Sequence, residues 1–410
     1  MADENNIIIK INHLMCIGIS IWHITPYLSR NGHPTILVAM LMVWFSTALI
    51  SMGSYTVNTR ALSGVILWLA LILIYRIVGY STCAWGNLYV QIIYWLIFIM
   101  YLFYHDRGDT KFLNTLANIL MLAMAVNIAS NIKLCIDTPD ISTVINTIYG
   151  DKYLKTNAGA TAFSYLTALY IMGLHAKIRQ PETKRGMKTL CILLIAGSLF
   201  YIVLAGRGTT TILLFLYIVM SEINGFADGR KNKQIIVVLT GAAIVAVVYF
   251  SLPFIVDSLT DAFPESRPVG KISEACDILY GKEVSAQGSG SSRIELSTLS
   301  LKTWTKDAQT ILVGIGDHRS KTLSGNYNLG IGNHSEFFDL FARYGLIGAI
   351  LFGGLFYSSI RKKKPMSDGN FILIINLFAY GFINSITKYP SMAVMIYLFC
   401  FNYLEGEKKS

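Results

Sequence analysis

GNYNLGIGNHSEFFDLFARYGLIGAILFGGLF, residues 325–356, changes character in its middle. It begins glycine-rich and polar and ends as an apolar run of the length a membrane helix needs. His334 stands at the join. A helix of this kind, opening from a polar loop, predicts a polytopic α-helical membrane protein with chemistry at one membrane face.

The rest of the chain agrees. It is 53% hydrophobic and only 14% charged, well below the roughly 25% of a soluble domain. Apolar runs recur at about 8–27, 35–53, 61–80, 87–104, 112–130, 158–176, 187–205, 208–224, 234–252, 335–359, 370–385 and 390–404. That predicts an all-α fold of about twelve transmembrane helices. The alternating segments of about ten residues that a β-barrel requires are absent. The first apolar stretch, Ile11 to Thr25, lacks a small-residue cleavage site and reads as the first span. Of the six cysteines, Cys16, Cys191 and Cys400 fall in apolar runs and Cys276 in a long loop, with no CxxC spacing, so neither a metal site nor a disulfide framework is expected.

Sidedness follows from charge. KIRQPETKRGMK (177–188), DGRKNK (228–233), RKKK (361–364) and the terminal EGEKKS all fall on one side of a twelve-span chain. The positive-inside rule makes that side cytoplasmic, with both termini inside. It also accounts for the net charge of +10 without nucleic acid. Two long loops then face outward, about 131–157 and 253–333. The organisation is helices over 1–252, a large outer loop with an amphipathic helix over 253–333, and helices again over 334–410. Neither GxxxxGK[ST] nor GxGxxG occurs, so nucleotide-driven chemistry is not expected.

Three polar features share the outer side. AGRGTTT (205–211) is a tight turn between two spans that offers Arg207 between two glycines. A basic residue in a short outward loop runs against the usual charge distribution. QGSGSSRIELSTLSLKTW (287–304) leads from a Gly/Ser loop into an amphipathic helix, with Ser291 or Ser292 and Glu295 spaced as a capping box. Arg293 would lie in its first turn, where a cation is disfavoured unless it meets a negative partner. In the opening stretch, Asn333 and Glu336 are spaced as a second capping box, which puts His334 at the first helical position. There the helix dipole favours a neutral imidazole that can accept a proton.

Two arginines and a neutral histidine at one membrane face suit a phosphate-bearing lipid substrate attacked by a hydroxyl. Arginine is the fork that fits phosphate, and histidine is the usual base for an alcohol. Tyr327 in the glycine-rich loop is placed to face a sugar. Arg76, near the outer end of the third span, and Lys388, in the short loop TKYP, read first as cations snorkelling to headgroups and second as auxiliary phosphate contacts. His318 in GIGDHRSK is a rival histidine without a helix start behind it. No DxD-like acidic cluster occurs in the outer loops, so no metal and no cofactor are expected.

In this order, AGRGTTT, SGSSRIEL, GIGDH and GNHSEFFDLFARYGLIGAILF resemble the O-antigen ligase/polymerase superfamily. Its pattern is an Arg between two spans, then S-x-R-x-E/x-x-W, G-x-G, and a His-Asn/Ser pair followed by G-x-x-G on the next helix. Here Ser335 follows His334, and Gly345 and Gly348 fall at the family's glycines. Ser297 departs from the pattern where an aromatic is common. The specific motifs lie within about 205–350, and elsewhere the likeness is one of hydropathy and layout.

The resemblance implies a metal-independent GT-C-type glycosyltransferase of the bacterial inner membrane, with its active site facing the periplasm. The donor and acceptor would be undecaprenyl-diphosphate-linked glycans. His334 would be the general base on the acceptor hydroxyl, with Arg207 and Arg293 on the donor diphosphate. A Wzy-type polymerase, which can work with a chain-length regulator, is preferred over a ligase that transfers to lipid A-core. A flippase or transporter would place ionisable residues in mid-span, and the spans here are almost free of acids. A membrane scaffold without chemistry would be indifferent to His334.

Overall fold

The computed structural model describes residues 2–51, 59–78, 85–137, 161–181, 183–205, 208–226, 233–262, 269–270, 273, 276–277, 289–316, 330–332, 334–360 and 368–397. Among them every extended element is helical and no strand occurs. The helices are α1 (Ala2–Ile24), α2 (Pro26–Asn31), α3 (Pro34–Ser51), α4 (Thr59–Ile77), α5 (Trp85–Asp106), α6 (Thr110–Asp137), α7 (Thr161–Arg179) and α8 (Arg185–Leu204). They continue as α9 (Gly208–Phe226), α10 (Lys233–Ala262), α11 (Ser289–Trp304), α12 (Ala308–Val313), α13 (Glu336–Ile360), α14 (Asp368–Ile383) and α15 (Pro390–Val394).

Five stretches among the described residues are long and apolar enough to cross a membrane: Ile7–Ile24, Pro34–Ser51, Thr110–Asp137, Arg185–Leu204 and Glu336–Leu355. Three shorter apolar helices accompany them, Leu62–Ile77, Leu213–Asn224 and Ile372–Ile383. This build is compatible with a helical membrane protein. Lipid-type side chains such as Phe250, Phe254 and Ile350 lie on the surface, as they would against hydrocarbon.

Three boundaries differ from those expected. α6 runs to Asp137, so the first outer loop begins later than residue 131. α10 continues through Pro253 to Ala262, so residue 253 is not where helix gives way to loop. Proline removes one helical hydrogen bond, but the apolar run through Phe254, Ile255 and Val256 carries on past it. α13 is broken at Gly345, whose φ of 59° and ψ of −160° are not helical.

Polar ties and aromatic contacts join the helices. Asn12 on α1 donates to the Trp44 carbonyl and to Thr47 on α3, each at 2.9 Å, and Tyr104 on α5 donates to Asn12 Oδ1 at 2.5 Å. Trp68 on α4 meets Tyr344 and Phe352 on α13 edge-on at 5.3 and 5.4 Å. Trp95 on α5 reaches Phe352 from another side at 5.8 Å. α13 is therefore wedged between α4 and α5, with its broken segment against the end of α4.

The break in α13 is a backbone crossing. Gly345 frees the carbonyls of Ala342 and Arg343 from their usual helical partners. The chain leaving α12 supplies substitutes: Ile315 N–H donates to Ala342 O at 2.9 Å and Gly316 N–H to Arg343 O at 2.8 Å. The approach needs two glycines face to face. A Cβ on Gly345 would strike the Leu312 backbone, and one on Gly314 would strike Arg343 and Tyr344. Both residues also hold a backbone conformation that is essentially glycine-only, Gly314 at φ 70° and ψ −168°. Tyr75 at the end of α4 locks the crossing by donating to the Val313 carbonyl.

Gly345→Ala is expected to lower stability by roughly 1–3 kcal/mol from backbone strain alone, with the steric clash added. Gly353→Ala, at a helical position where a Cβ meets nothing within 4 Å, is expected to be neutral or stabilising by about 0.5–1 kcal/mol. Thermal unfolding of the two variants in one detergent checks the opposite signs.

Candidate functional site

His334 is exposed and sits directly ahead of α13. It is not the first helical residue. Ser335 is the N-cap: its Oγ accepts from Phe338 N–H at 3.3 Å and its carbonyl accepts from Asp339 N–H at 3.1 Å. The helix starts at Glu336, so His334 lies one position outside the cap and feels the helix dipole from beyond the first turn. Asn333 lies outside the described residues.

Glu336 does not close a capping box either. Its buried carboxylate turns away to the loop after α14. Oε2 accepts from Ile386 N–H at 2.7 Å and Thr387 N–H at 3.1 Å, and Oε1 accepts from Thr387 Oγ at 2.6 Å. Its own N–H donates to Asn384 O at 3.2 Å. Gln91 on α5 donates to the same Thr387 Oγ at 2.9 Å, which brings a third element to the cluster. Ser335 Oγ donates to Gly381 O at 3.1 Å, and Phe337 stacks on Phe378 at 5.2 Å. The mouth of α13 is thus fastened to residues 378–387, and exposed Lys388 is the next residue of that loop.

The other wall is α11. Its packed face is polar: Ser300 and Thr303 are fully buried. Ser300 Oγ donates to Asp339 on α13 at 2.7 Å and accepts from Gly332 N–H at 2.9 Å. Thr303 Oγ meets both backbone groups of Gly330 at 2.7 Å. Leu296 lies so close to Gly332 that a Cβ there would collide with its carbonyl. Trp304 stacks on Phe341 at 4.6 Å. These contacts hold residues 330–332, the last steps before His334. α11 starts at Ser289, earlier than expected, which puts Ser291 and Ser292 inside the helix and Arg293 at its fifth position, past the first turn. The Arg293 side chain lies outside what the structure describes. The capping box that is observed belongs to α12, where Asp307 accepts from Thr310 N–H at 2.8 Å and Thr310 Oγ accepts from Asp307 N–H at 3.1 Å.

The remaining candidates distribute as follows. Arg76 is half-buried at the end of α4, next to the Tyr75 that locks the crossing. Arg207, Tyr327 and His318 lie outside the described residues. The helix that follows Arg207 is placed: Thr210 on α9 meets Ser164 on α7 at 3.1 Å, and the adjacent Tyr165 packs edge-on against Tyr380 on α14 at 4.5 Å. The start of α9 therefore lies at the level of the end of α14. The end of α4 and the starts of α5, α7, α9 and α13 gather with the end of α14 at one end of the bundle.

The chain was compared with models of protein families and with curated proteins, and no match was found in either.

Sequence reasoning missed Ser300, Thr303, Gln91 and Thr387. No local pattern marks them, because their partners lie 27 to 296 residues away. Ser300→Ala removes the link between Gly332 and Asp339, and we expect a loss of about 2 kcal/mol, as for a buried hydrogen bond to a charged group. Faster hydrogen exchange at Gly332, with exchange across α1 and α3 unchanged, is the measurement that checks it.

Proposed function

We propose that the chain is an O-antigen polymerase of the bacterial inner membrane, a twelve-span GT-C-like glycosyltransferase whose site faces the periplasm. It joins undecaprenyl-diphosphate-linked repeat units. A hydroxyl on the acceptor sugar attacks the anomeric carbon of the donor, and His334 takes the hydroxyl proton. The bond from that carbon to the diphosphate oxygen breaks, and undecaprenyl diphosphate leaves. Arg207 and Arg293 stabilise charge as it grows on the leaving diphosphate. Arg76 and Lys388 are auxiliary phosphate contacts, and Tyr327 faces a sugar.

The observation that carries this reading is the setting of His334. It is an exposed imidazole on a segment held on one side by the helix that bears Arg293 and on the other by the loop that bears Lys388. A general base needs such fixed placement, and basic residues on both flanks suit a polyanionic leaving group. The order of motifs along the chain supports the same assignment. Lipid A-core as acceptor, the ligase reaction, is the competing outcome in the test.

That test uses purified protein and its undecaprenyl-diphosphate repeat unit with no other acceptor, resolved on a gel. We expect a ladder from wild type and none from His334→Ala. Transfer that begins only when lipid A-core is added would make the protein a ligase. A ladder from both proteins would remove His334 from the chemistry.

Arg293→Lys is expected to lose most activity while the protein stays in the membrane, because a point charge does not replace a two-pronged donor. Activity is expected to survive EDTA. Strong inhibition reversed by a divalent ion would contradict a metal-free mechanism.

A further inference from the structure

Glu336 is a buried carboxylate whose described hydrogen bonds all go to one turn of chain. Three donors of residues 386–387 converge on its two oxygens, at 2.6 to 3.1 Å. Burying a charge is a costly way to join two helices, and apolar packing does that work with less penalty. Phe337 against Phe378 and Phe382 already supplies such packing at the same place. The carboxylate adds a fixed backbone path through Ile386 and Thr387. The far side of the turn is fixed as well: Tyr389 N–H donates to Ile386 O at 3.4 Å, and Pro390 opens α15. Gln91 braces Thr387 from α5. The exposed residue between these anchors is Lys388.

We infer that Glu336 is a positioning residue: by fixing the 386–387 backbone it presents the Lys388 ammonium beside His334, where it binds a phosphate of the lipid diphosphate. The inference rests on the donor assigned under the proposed function. A lysine is a point charge on a flexible stem, so its aim depends on the backbone that carries it. Glu336 fixes that backbone and lies two residues from His334, so one side chain sets the spacing between base and cation.

The experiment measures undecaprenyl diphosphate binding to wild-type protein in nanodiscs and to E336A, E336Q, K388A and the double variant E336A/K388A. Hydrogen exchange at Ile386 and Thr387 is followed in parallel. K388A is expected to weaken binding about tenfold and leave exchange unchanged. E336A is expected to weaken it by a similar factor and to speed exchange. E336Q keeps the size and an acceptor oxygen, and should restore most of both. The double variant should bind no worse than E336A, since Glu336 acts through Lys388. Losses that multiply in the double variant, or wild-type binding by E336A despite faster exchange, would overturn the positioning role. If E336A does not accumulate, T387V replaces it, and faster exchange with wild-type binding overturns the role in the same way. Wild-type protein that binds no undecaprenyl diphosphate would instead overturn the donor assignment, and this inference with it.

Discussion

The backbone crossing at Gly314 and Gly345 is the constraint on which the rest of the site depends. A helix broken in its third turn exposes carbonyls, and next to a membrane such groups need partners from the protein itself. Ile315 and Gly316 provide them, and in doing so they tie the chain that leaves α12 to α13. Without the crossing, α12 loses its backbone tie to α13, and α11 is left to side-chain contacts such as Ser300 with Asp339 and Trp304 with Phe341. The wall on which segment 330–332 rests would then be less firmly fixed.

From that anchor the site is built by polar side chains reaching backbone. Ser300 and Thr303 hold the approach to His334, and Glu336 holds the turn before Lys388. Side-chain bonds to backbone groups fix chain path more tightly than apolar packing does, because they have direction as well as contact. A side chain on a loop needs such support to hold one position, and each flank of His334 has its own. The aromatic contacts of Trp68, Tyr75 and Tyr344 supply the apolar seat beneath.

Much of this was legible in the chain. Hydropathy gave helices and their approximate limits. The glycines of GIGDH and of RYGLIG stood out in the sequence, and they are the residues that meet. The capping patterns misled. Asn333–Glu336 and Ser292–Glu295 have the spacing of a capping box, yet Ser335 caps α13 and α11 begins before Ser291. A four-residue spacing cannot reveal that a glutamate has a stronger claim on it from a turn fifty residues away.

By itself the sequence determined what depends on solvent and on local geometry: apolar runs that form helices, and glycines where no Cβ can fit. Tertiary structure alone decided which polar residues are interior. Ser300, Thr303, Gln91 and Thr387 are unremarkable in sequence, because a hydroxyl or amide has no period that betrays its partner. Their burial follows from long-range contacts that close once the broken helix has docked, and those contacts fix where His334 stands.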